Sequence, residues 1–280
     1  MMPERSRRSD LSYEGYAEPK LVERLEDCFF YHTMDLPGLG TVEGCWDLRT
    51  GAREYLGNVE FADMRVLDIG TANGFLAFHM ESRGAEVTGY DLSPSQDWDT
   101  VPYAGRDSST EEKQRREQIG RMNNAFWLAH RLLRSSVRLA QGAVYDIPPS
   151  LGSFDICVFG SILLHLRDPF LAMQRGLALT GSTAIVTDML PRSYLVPRLG
   201  AMRLLPRRLS RPALRFSPDF RACSPTDTWW KLYPETVEEF LGVLGFEDTR
   251  LSFHRQLFRG RRLPLFTIVA RRTKGRPHTA

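Results

Sequence analysis

Two acidic residues and a glycine-containing turn form the segment of the sequence best suited to chemistry. Asp68 lies in the apolar run 66–69, and a turn from Gly70 to Gly74 follows it. Asp91 ends the next apolar run, roughly 20 residues after Gly70, the spacing at which an acid can accept hydrogen bonds from a ribose. Glycines let a ligand approach the backbone closely, and a helix that begins after such a turn offers unpaired N–H groups to it. The segment therefore predicts a ligand site built on a strand, a turn and a helix.

The spacing of the glycines excludes two common cofactor sites. A dinucleotide site requires GxGxxG, whereas the pattern here is Gly70-x-x-x-Gly74 with Ala72 at the third position. The sequence contains no GKS or GKT, which excludes a phosphate-binding P-loop. Asp68 can pair with an ammonium through a water or a backbone amide, and Asp91 can bind both hydroxyls of a ribose. An amino-acid head joined to a ribose is the shape of S-adenosylmethionine. The alternative is an ordinary βαβ unit with incidental acids.

The pattern around this segment predicts the elements that must position it. Strands are predicted in RVLDI, EVTGYDLS, VRLAQGAVYDIP, SFDICVFGSILLHL and STAIVTDML, and helices in TANGFLAFHMESRG and DPFLAMQRGLAL. The end of the chain predicts a helix in PETVEEFLGVLGF and two strands, EDTRLSFHRQ and LPLFTIVARR, joined by the turn LFRGRR. Strands that alternate with helices indicate an α/β fold with a parallel sheet covered on both faces.

The remaining segments divide the chain. The first residues are polar and rich in Arg and Ser and predict a disordered arm, and PKLVERLEDCFFYH after them has the spacing of an amphipathic helix. A long helix is predicted in TEEKQRREQIGRMNNAFWLAHRLL, and the stretch before the last helix is irregular and rich in Pro and Arg. The expected division is an arm (1–17), an N-terminal segment (18–63), a main domain (64–271) with insertions at 94–135 and 190–229, and a tail (272–280).

Composition narrows the class of protein. The 280 residues carry 37 Lys+Arg and 34 Asp+Glu, a formal net charge of +3, which excludes an acidic tail protein and a uniformly basic one. At 42% hydrophobic and 25% charged residues, the chain has the composition of a soluble globular protein. The four cysteines form no CxxC pair, so we expect a reducing, cytoplasmic setting without a metal site or disulfide. No uncharged apolar stretch of about 18 residues occurs, so we expect neither a secretory signal nor contact with a membrane.

The motif DxGxxxG with a strand-end acid is similar to the class I S-adenosylmethionine-dependent methyltransferases, and the fit extends from about Phe29 to Arg271. More narrowly, the sequence resembles the methyltransferases related to the tRNA wobble-uridine carboxymethyltransferase in YHTMDLPG, TVEGCWDLR, VLDIGTANGFLAFHMESRGAEV, FGSILLHLRDP and TDTWWKLYPETVEEFLGVLGF. The resemblance implies a Rossmann-like sheet of seven strands with helices on both faces, the last strand antiparallel, and cofactor at the carboxyl ends of the strands. It also implies that segment 18–63 folds over the cofactor as a lid and that the two insertions build the acceptor pocket.

The resemblance implies a set of cofactor-binding residues. They are Asp68, Gly70, Thr71, Asn73 and Gly74 for the methionine part, Asp91 and Leu92 for the ribose, Val144, Tyr145 and Asp146 for the adenine, and Gly160, Ser161 and Leu164 beneath the sulfonium. Ala143 stands where many class I enzymes have an acid, so adenine recognition is expected to depend on backbone groups and Tyr145. Residues 163–165 read Leu-Leu-His where the wobble-uridine enzyme has LYH, which removes a hydroxyl that could hold a carboxylated cofactor. Plain S-adenosylmethionine is therefore expected.

Methyl transfer to oxygen or nitrogen often uses a base near the acceptor. His165, in the loop after the fourth strand, is the first candidate, and His32 in the lid is the second. The alternative for both is a structural histidine that is hydrogen bonded at the end of an element.

Two features near the second insertion suggest how the acceptor is bound. Trp229, Trp230 and Tyr233 predict an aromatic wall, with packing of the insertion onto the sheet as the alternative. Arginines are concentrated in 192–221, at Arg192, Arg198, Arg203, Arg207, Arg208, Arg211, Arg215 and Arg221. The excess predicts contact with an anionic group, Arg192 being the candidate substrate residue, and the alternative is a solvated flap that assists formation of a homodimer.

These observations predict an enzyme that transfers a methyl group from S-adenosylmethionine to a small-molecule acceptor, a secondary metabolite or a sugar, with an anionic group as an option. An RNA methyltransferase is the first alternative, and it is less favoured because the basic residues are concentrated in one insertion, so we expect no nucleic-acid partner. A non-catalytic S-adenosylmethionine-binding scaffold is the second alternative, because a fold alone does not establish an activity.

Overall fold

The computed structural model describes residues 15–195 and 213–275. Its strands are β1 (Met34–Leu36), β2 (Gly40–Val42), β3 (Trp46–Asp47), β4 (Arg65–Ile69), β5 (Glu86–Asp91), β6 (Arg138–Gln141), β7 (Phe154–Gly160), β8 (Thr180–Met189), β9 (Leu214–Phe216), β10 (Trp230–Leu232), β11 (Asp248–Phe258) and β12 (Arg261–Arg271). Its α-helices are α1 (Ala52–Tyr55), α2 (Phe75–Glu81), α3 (Ser109–Leu133), α4 (Pro169–Ala178), α5 (Arg192–Leu195) and α6 (Pro234–Val243). No helix among these described residues is long and apolar enough to cross a bilayer.

Eight strands form one sheet in the order β3-β11-β12-β8-β7-β4-β5-β6. Neighbours from β8 to β6 pair in parallel, and β12 is antiparallel to both of its neighbours. The predicted α/β class, the seven strands and the antiparallel last strand are thus confirmed. The eighth strand, β3, pairs with only the final two residues of β11, and such a short segment has no alternation of apolar residues that could have predicted it.

Both faces of the sheet are covered, which explains why its strands are continuous apolar runs. Val66 and Leu67 are neighbours in β4 and therefore point to opposite faces, and both are fully buried. Val66 packs in a core with Phe126 of α3, and Leu67 packs in a second core with Phe159 and residues of α4 and α6. This packing fixes β4 in the centre of the sheet, where its carboxyl end leads into the turn after Ile69.

The prediction of a helix in PKLVERLEDCFFYH is wrong. The segment is extended except for one 3-10 turn at Leu25–Asp27, and Leu21 is 74% exposed. Its backbone instead binds α3, since Arg121 donates to the carbonyl of Cys28 at 3.0 Å and Arg131 donates to that of Val22 at 2.9 Å. Side chains of α3 therefore take up carbonyls that a helix would have used for its own hydrogen bonds.

The predicted arm (1–17) includes two residues at its end that pair with the sheet. The N–H of Ala17 donates to the carbonyl of Leu139 at 2.7 Å, and Tyr16 forms a bridge with Ala140 beneath the guanidinium of Arg138. These contacts attach residues 16 and 17 to the edge strand β6, and residues 1–14 lie outside the described part. The predicted turn LFRGRR is likewise shorter than expected, because β11 and β12 pair as far as Phe258 and Arg261.

The two insertions contact each other. We use the name cap for residues 97–106 together with 219–230. Within the cap the N–H of Val101 donates to the carbonyl of Thr226 at 3.0 Å, Tyr103 donates to the carbonyl of Pro225 at 2.9 Å, and Arg106 donates to that of Cys223 at 2.6 Å. The cap lies beside the carboxyl ends of β4, β5 and β7, where it contributes to a cavity.

Candidate active site

A cavity of about 300 Å³ opens at the carboxyl ends of the parallel strands. Ile69 and Gly70 from β4, Asp91 from β5 and Gly160 from β7 line it, as do residues of α3, the cap and the segment before β1. In open α/β sheets ligands bind outside the carboxyl ends of the strands. The sequence-predicted turn and the strand-end acid therefore meet in one place.

The glycines of the turn are required by its backbone. Gly70 has φ +77°, and a Cβ atom there would lie 2.7 Å from Cδ1 of Ile162. Gly74 has φ +86° at the N-cap of α2, where a Cβ atom would lie 2.5 Å from the ring of Phe78. Gly70 lines the cavity, whereas Gly74 is buried behind it. The first glycine thus exposes backbone to a ligand, and the second allows α2 to pack closely.

Asp91 faces the cavity with both oxygens already oriented. Oδ2 accepts from the N–H of Ala72 at 2.6 Å, and Oδ1 accepts from the N–H of Leu92 at 2.7 Å. Burial raises the pKa of Asp91 above its ordinary value, and the two backbone donors act in the opposite direction. Each carboxylate oxygen has a second lone pair, so the side chain can still accept hydrogen bonds from a ligand.

Asp68 is placed differently from Asp91. It is 1% exposed, outside the cavity lining, and its Oδ2 accepts from the hydroxyl of Thr71 at 2.8 Å. Burial raises the pKa of Asp68 to about 7, assisted by the charge of Asp91 and opposed by the Thr71 hydrogen bond. Asp68 and Thr71 therefore support the turn from behind.

The predicted cofactor residues fall into two groups. Those that line the cavity are Gly70, Asp91, Leu92, Val144, Tyr145, Gly160 and Ser161. Those that lie outside its lining are Asp68, Thr71, Asn73, Gly74, Asp146 and Leu164. Most of the second group are buried and hold the first in place, whereas Asp146 is exposed to solvent.

Tyr145 is held by a residue that the sequence analysis did not identify. Its hydroxyl donates to Oδ2 of Asp99 at 2.5 Å and accepts from the N–H of Asp168 at 3.1 Å. Burial raises the pKa of Tyr145, so the hydroxyl stays protonated. Asp99 belongs to the cap and lines the cavity near Ala143, where the sequence lacks the expected acid.

His165 lines the cavity and has a fixed tautomer. Its Nδ1–H donates to the main-chain oxygen of Asp227 in the cap. Because a carbonyl oxygen only accepts, Nδ1 carries the proton and Nε2 is bare in the neutral ring. Burial lowers the pKa of His165, the nearby Arg115 acts in the same direction, and Asp227 opposes both. The ring is thus neutral near pH 7, with a lone pair on Nε2 that has no partner among the described residues.

His32 also lines the cavity and is fixed by Asn73 of the turn. Oδ1 of Asn73 accepts from the N–H of His32 at 2.9 Å and from its Nδ1 at 3.1 Å, and Nδ2 donates to the carbonyl of His32 at 3.2 Å. Burial lowers the pKa of His32 to about 4. Asn73 therefore joins the N-terminal segment to the turn, and the ring of His32 is neutral near pH 7.

The predicted aromatic wall lies outside the cavity. Trp229 is 7% exposed, and its indole N–H donates to the carbonyl of Asp99 at 2.7 Å, while that of Trp230 donates to the carbonyl of Arg167 at 3.0 Å. The hydroxyl of Tyr233 bonds to Ser193. These side chains pack the insertion onto the loop after β7, which is the alternative interpretation of the sequence.

Other aromatic and apolar residues line the cavity instead. Trp98 of the cap and Tyr31 are aromatic residues of the lining besides Tyr90 and Tyr145, and Ile119 and Met122 come from the buried face of α3. The spacing of Ile119 and Met122 identifies a helix face but not what it covers. Arg192 is exposed and outside the lining; Arg215 and Arg221 are also exposed, and positions 198–211 lie outside the described residues.

The lining fits S-adenosylmethionine. Asp91 presents two oriented acceptors, Gly70 leaves backbone open, and the rest of the surface is largely apolar, as an adenine and a thioether require. No Lys or Arg occurs among the described lining residues, so no fixed cation opposes a sulfonium.

Comparisons with known proteins agree with this site. Residues 67–177 match a family model described as a methyltransferase domain. The N-terminal domain of EvdMO1 with S-adenosylhomocysteine bound is similar in structure, with 16% identity, a TM-score of 0.52, and coverage of 89% of this chain and 93% of that one. A second structure of that domain, determined in the presence of S-adenosylhomocysteine and D-fucose, has 17% identity, a TM-score of 0.50 and the same coverage.

A third similar structure is the 1,6-didemethyltoxoflavin-N1-methyltransferase of Burkholderia thailandensis, with 15% identity, a TM-score of 0.48, and coverage of 81% of this chain and 78% of that one. No curated protein matches the chain in sequence. The matched residues contain most of the strand, and the turn and helix, of the site, and the last strand of the sheet is antiparallel as the resemblance implies. Residues 67–177 therefore match a methyltransferase domain, and the chain has the fold of the similar structures.

Proposed function

We propose that the protein transfers a methyl group from S-adenosylmethionine to an oxygen or nitrogen of a small-molecule acceptor bound beside His165. The observation that carries this proposal is the fixed tautomer of His165, whose Nδ1–H is held by Asp227 while Nε2 is bare at the cavity. A neutral imidazole with an oriented lone pair can take a proton from a hydroxyl or an amine. His165 is thus the general base of the proposal.

The cofactor supplies a methyl group on a positively charged sulfur. In the proposal Asp91 accepts hydrogen bonds from the ribose, the backbone at Gly70 approaches the methionine part, and Val144 and Tyr145 contact the adenine. Gly160 and Ser161 are then closest to the sulfur, because they lie at the carboxyl end of β7, from which the loop with His165 continues. Asp68, Thr71 and Asn73 act through the turn that they support.

Plain S-adenosylmethionine suits residues 163–165 better than a carboxylated form. Both residues that precede His165 are leucines, which have no hydroxyl. Leu163 is also fully buried, and Leu164 lies outside the cavity lining. The finer resemblance to the wobble-uridine carboxymethyltransferase subgroup stays a prediction.

The acceptor is proposed to be small, uncharged and at least partly flat. Trp98 and Tyr31 give the cavity an aromatic wall, and His32 adds a second imidazole whose Nδ1 is bound and whose Nε2 has no partner among the described residues. No described lining residue is Lys or Arg, so the described part of the cavity offers no cation to an anionic acceptor. The D-fucose present with one similar domain is a reason to include sugars among the acceptors to be tested.

The test separates binding from turnover. Calorimetry with S-adenosylhomocysteine measures the cofactor site, and formation of that product from S-adenosylmethionine measures turnover across a panel of phenols, sugars, amines and transfer RNA. We expect a phenol, sugar or amine to be methylated, and His165→Gln to lower turnover by about 100-fold, within the usual range for a general base, while binding changes less than about twofold.

The contrary outcomes are distinct. Turnover only with RNA would support the alternative of an RNA methyltransferase, and binding without turnover on any acceptor would support a scaffold. A His165→Gln variant with more than a tenth of the original turnover would show that His165 is structural or that the acceptor needs alignment alone.

A further inference from the structure

We propose that Arg115 is a positioning residue of the acceptor site, because it fastens the cap to α3 and so holds the ring of His165 in one tautomer. The inference rests on the proposed function only in giving that ring a role in turnover. Arg115 itself lies outside the cavity lining and acts through Thr226, Asp227 and Trp98.

The first link joins α3 to the cap. Nη2 of Arg115 donates to Oγ1 of Thr226 at 2.8 Å and to Oε1 of Glu111 at 3.2 Å, and the hydroxyl of Thr226 donates to the same Glu111 oxygen. Glu111 and Arg115 lie one turn apart on α3, where their side chains are neighbours. Thr226 is therefore held by a closed arrangement of three side chains.

The second link runs from Thr226 to His165. Asp227 follows Thr226 directly, and its carbonyl accepts from Nδ1–H of His165. Two residues further on, the N–H of Trp229 donates to the carbonyl of Leu164 at 2.8 Å. The carbonyl of Asp227 thus lies between two attachments. Thr226 is attached to α3 through Arg115, and Trp229 is attached to the loop that carries His165.

Arg115 also supports the wall beside His165. Its guanidinium lies over the ring of Trp98, 5.2 Å from the ring centroid, and that ring meets His165 edge to face at 6.4 Å between centroids. The guanidinium of Arg115 therefore contacts both Trp98 and Thr226, the residue before Asp227. A planar guanidinium can stack and donate in two directions at once, which a lysine ammonium cannot.

The charges around His165 set the expected spectroscopic result. Asp227 raises and Arg115 lowers the pKa of His165, while burial, the largest effect, lowers it. Trp98, the other ring in contact with His165, has no charge. Removing the Arg115 cation alone should therefore raise the pKa of His165. Releasing the Asp227 carbonyl should mix the tautomers and lower that pKa, and this is the larger of the two effects.

The test uses long-range proton–nitrogen correlation spectra of the full chain, in which the shifts of Nδ1 and Nε2 report tautomer and charge. The spectrum of His165→Gln assigns the His165 signals. We expect a bare Nε2 in the original protein and, in Arg115→Gln, a mixture of tautomers with a lowered pKa of His165, because the loss of the Asp227 hydrogen bond outweighs the loss of the cation. Lys113→Gln, which removes an exposed cation from the same helix, is the matched control and should leave both unchanged.

Two further variants separate charge from positioning. Arg115→Lys should also mix the tautomers, because an ammonium cannot replace the planar fork, and it should lower the pKa of His165 further than Arg115→Gln does, because the cation is kept. Thr226→Val removes the hydroxyl and keeps the side-chain shape, so it should mix the tautomers less, and it serves if Arg115→Gln fails to fold.

Each result decides the proposal. An unchanged tautomer in Arg115→Gln, or in Thr226→Val if that variant alone folds, would overturn it whatever happens to turnover. Mixed tautomers together with turnover that survives His165→Gln would sustain the positioning role and contradict the base assigned under the proposed function.

Discussion

The two halves of the cavity are built in different ways. The acid and the turn at the centre of the cofactor half come from a short stretch of sequence, from β4 to Asp91. The acceptor half uses side chains that are distant in sequence, for example His165 and Asp227 at a separation of 62 residues and Arg115 and Thr226 at 111. Local sequence can specify the first half. The second exists only once the cap has folded against α3.

This difference explains which residues of each half the sequence analysis identified. A βαβ unit with DxGxxxG fixes the positions of Gly70 and Asp91 through its own geometry, so both were found. Trp98 was not assigned to the substrate site, because nothing in an irregular insertion indicates which side chain turns inward. Trp229 and Trp230 were assigned to that wall because their type suited it, yet their indole N–H groups bind main-chain carbonyls in the cap and its neighbouring loop.

The strongest challenge to the cofactor half is the substitution Asp91→Ala. The loss of hydrogen bonds to a charged group should weaken S-adenosylhomocysteine binding by about 1.5–3 kcal/mol, or about 10- to 150-fold. Calorimetry measures the change, and Asp248→Ala, which removes an exposed acid at the start of β11, is the control. Equal affinity in the Asp91 variant and the original protein would remove Asp91 from the site.

A second strand-end acid, Asp188, contrasts with Asp91, because Asp91 lines the cavity and Asp188 does not. Asp188 near the end of β8 is 1% exposed, its Oδ2 has no hydrogen-bond partner in the described part of the chain, and burial raises its pKa to about 7. Between about pH 4 and pH 7 the carboxyl of Asp188 therefore stays protonated in the native state and is ionised in the unfolded chain. The contribution of Asp188 to the free energy of unfolding falls as the pH rises through that window.

Asp188→Asn should therefore raise the free energy of unfolding by about 1–2 kcal/mol at pH 8, and by much less at pH 5, where Asp188 is protonated in the native state. Denaturant unfolding at the two pH values measures this. S-adenosylhomocysteine binding should not change, because Asp188 is outside the cavity lining. A variant that is less stable at pH 8 would mean that the carboxylate is compensated in the native state.

The smallest expected effect tests the acceptor half. Trp98→Leu removes the aromatic face and should raise the KM of a flat acceptor about 2- to 12-fold, the equivalent of the about 0.5–1.5 kcal/mol found for aromatic pairs, with cofactor affinity preserved. Trp230→Leu, outside the lining, should leave that KM unchanged. The reverse pattern would restore the tryptophan pair to the acceptor site.

A crystal structure of the protein with S-adenosylhomocysteine tests the central claim most directly. The account predicts that the ribose hydroxyls lie within hydrogen-bond distance of Asp91, and that the sulfur lies at the Gly160–Ser161 end of the cavity, with Nε2 of His165 open to the space beyond it. A ribose held away from Asp91, or a sulfur on the side of the cavity remote from His165, would contradict the account.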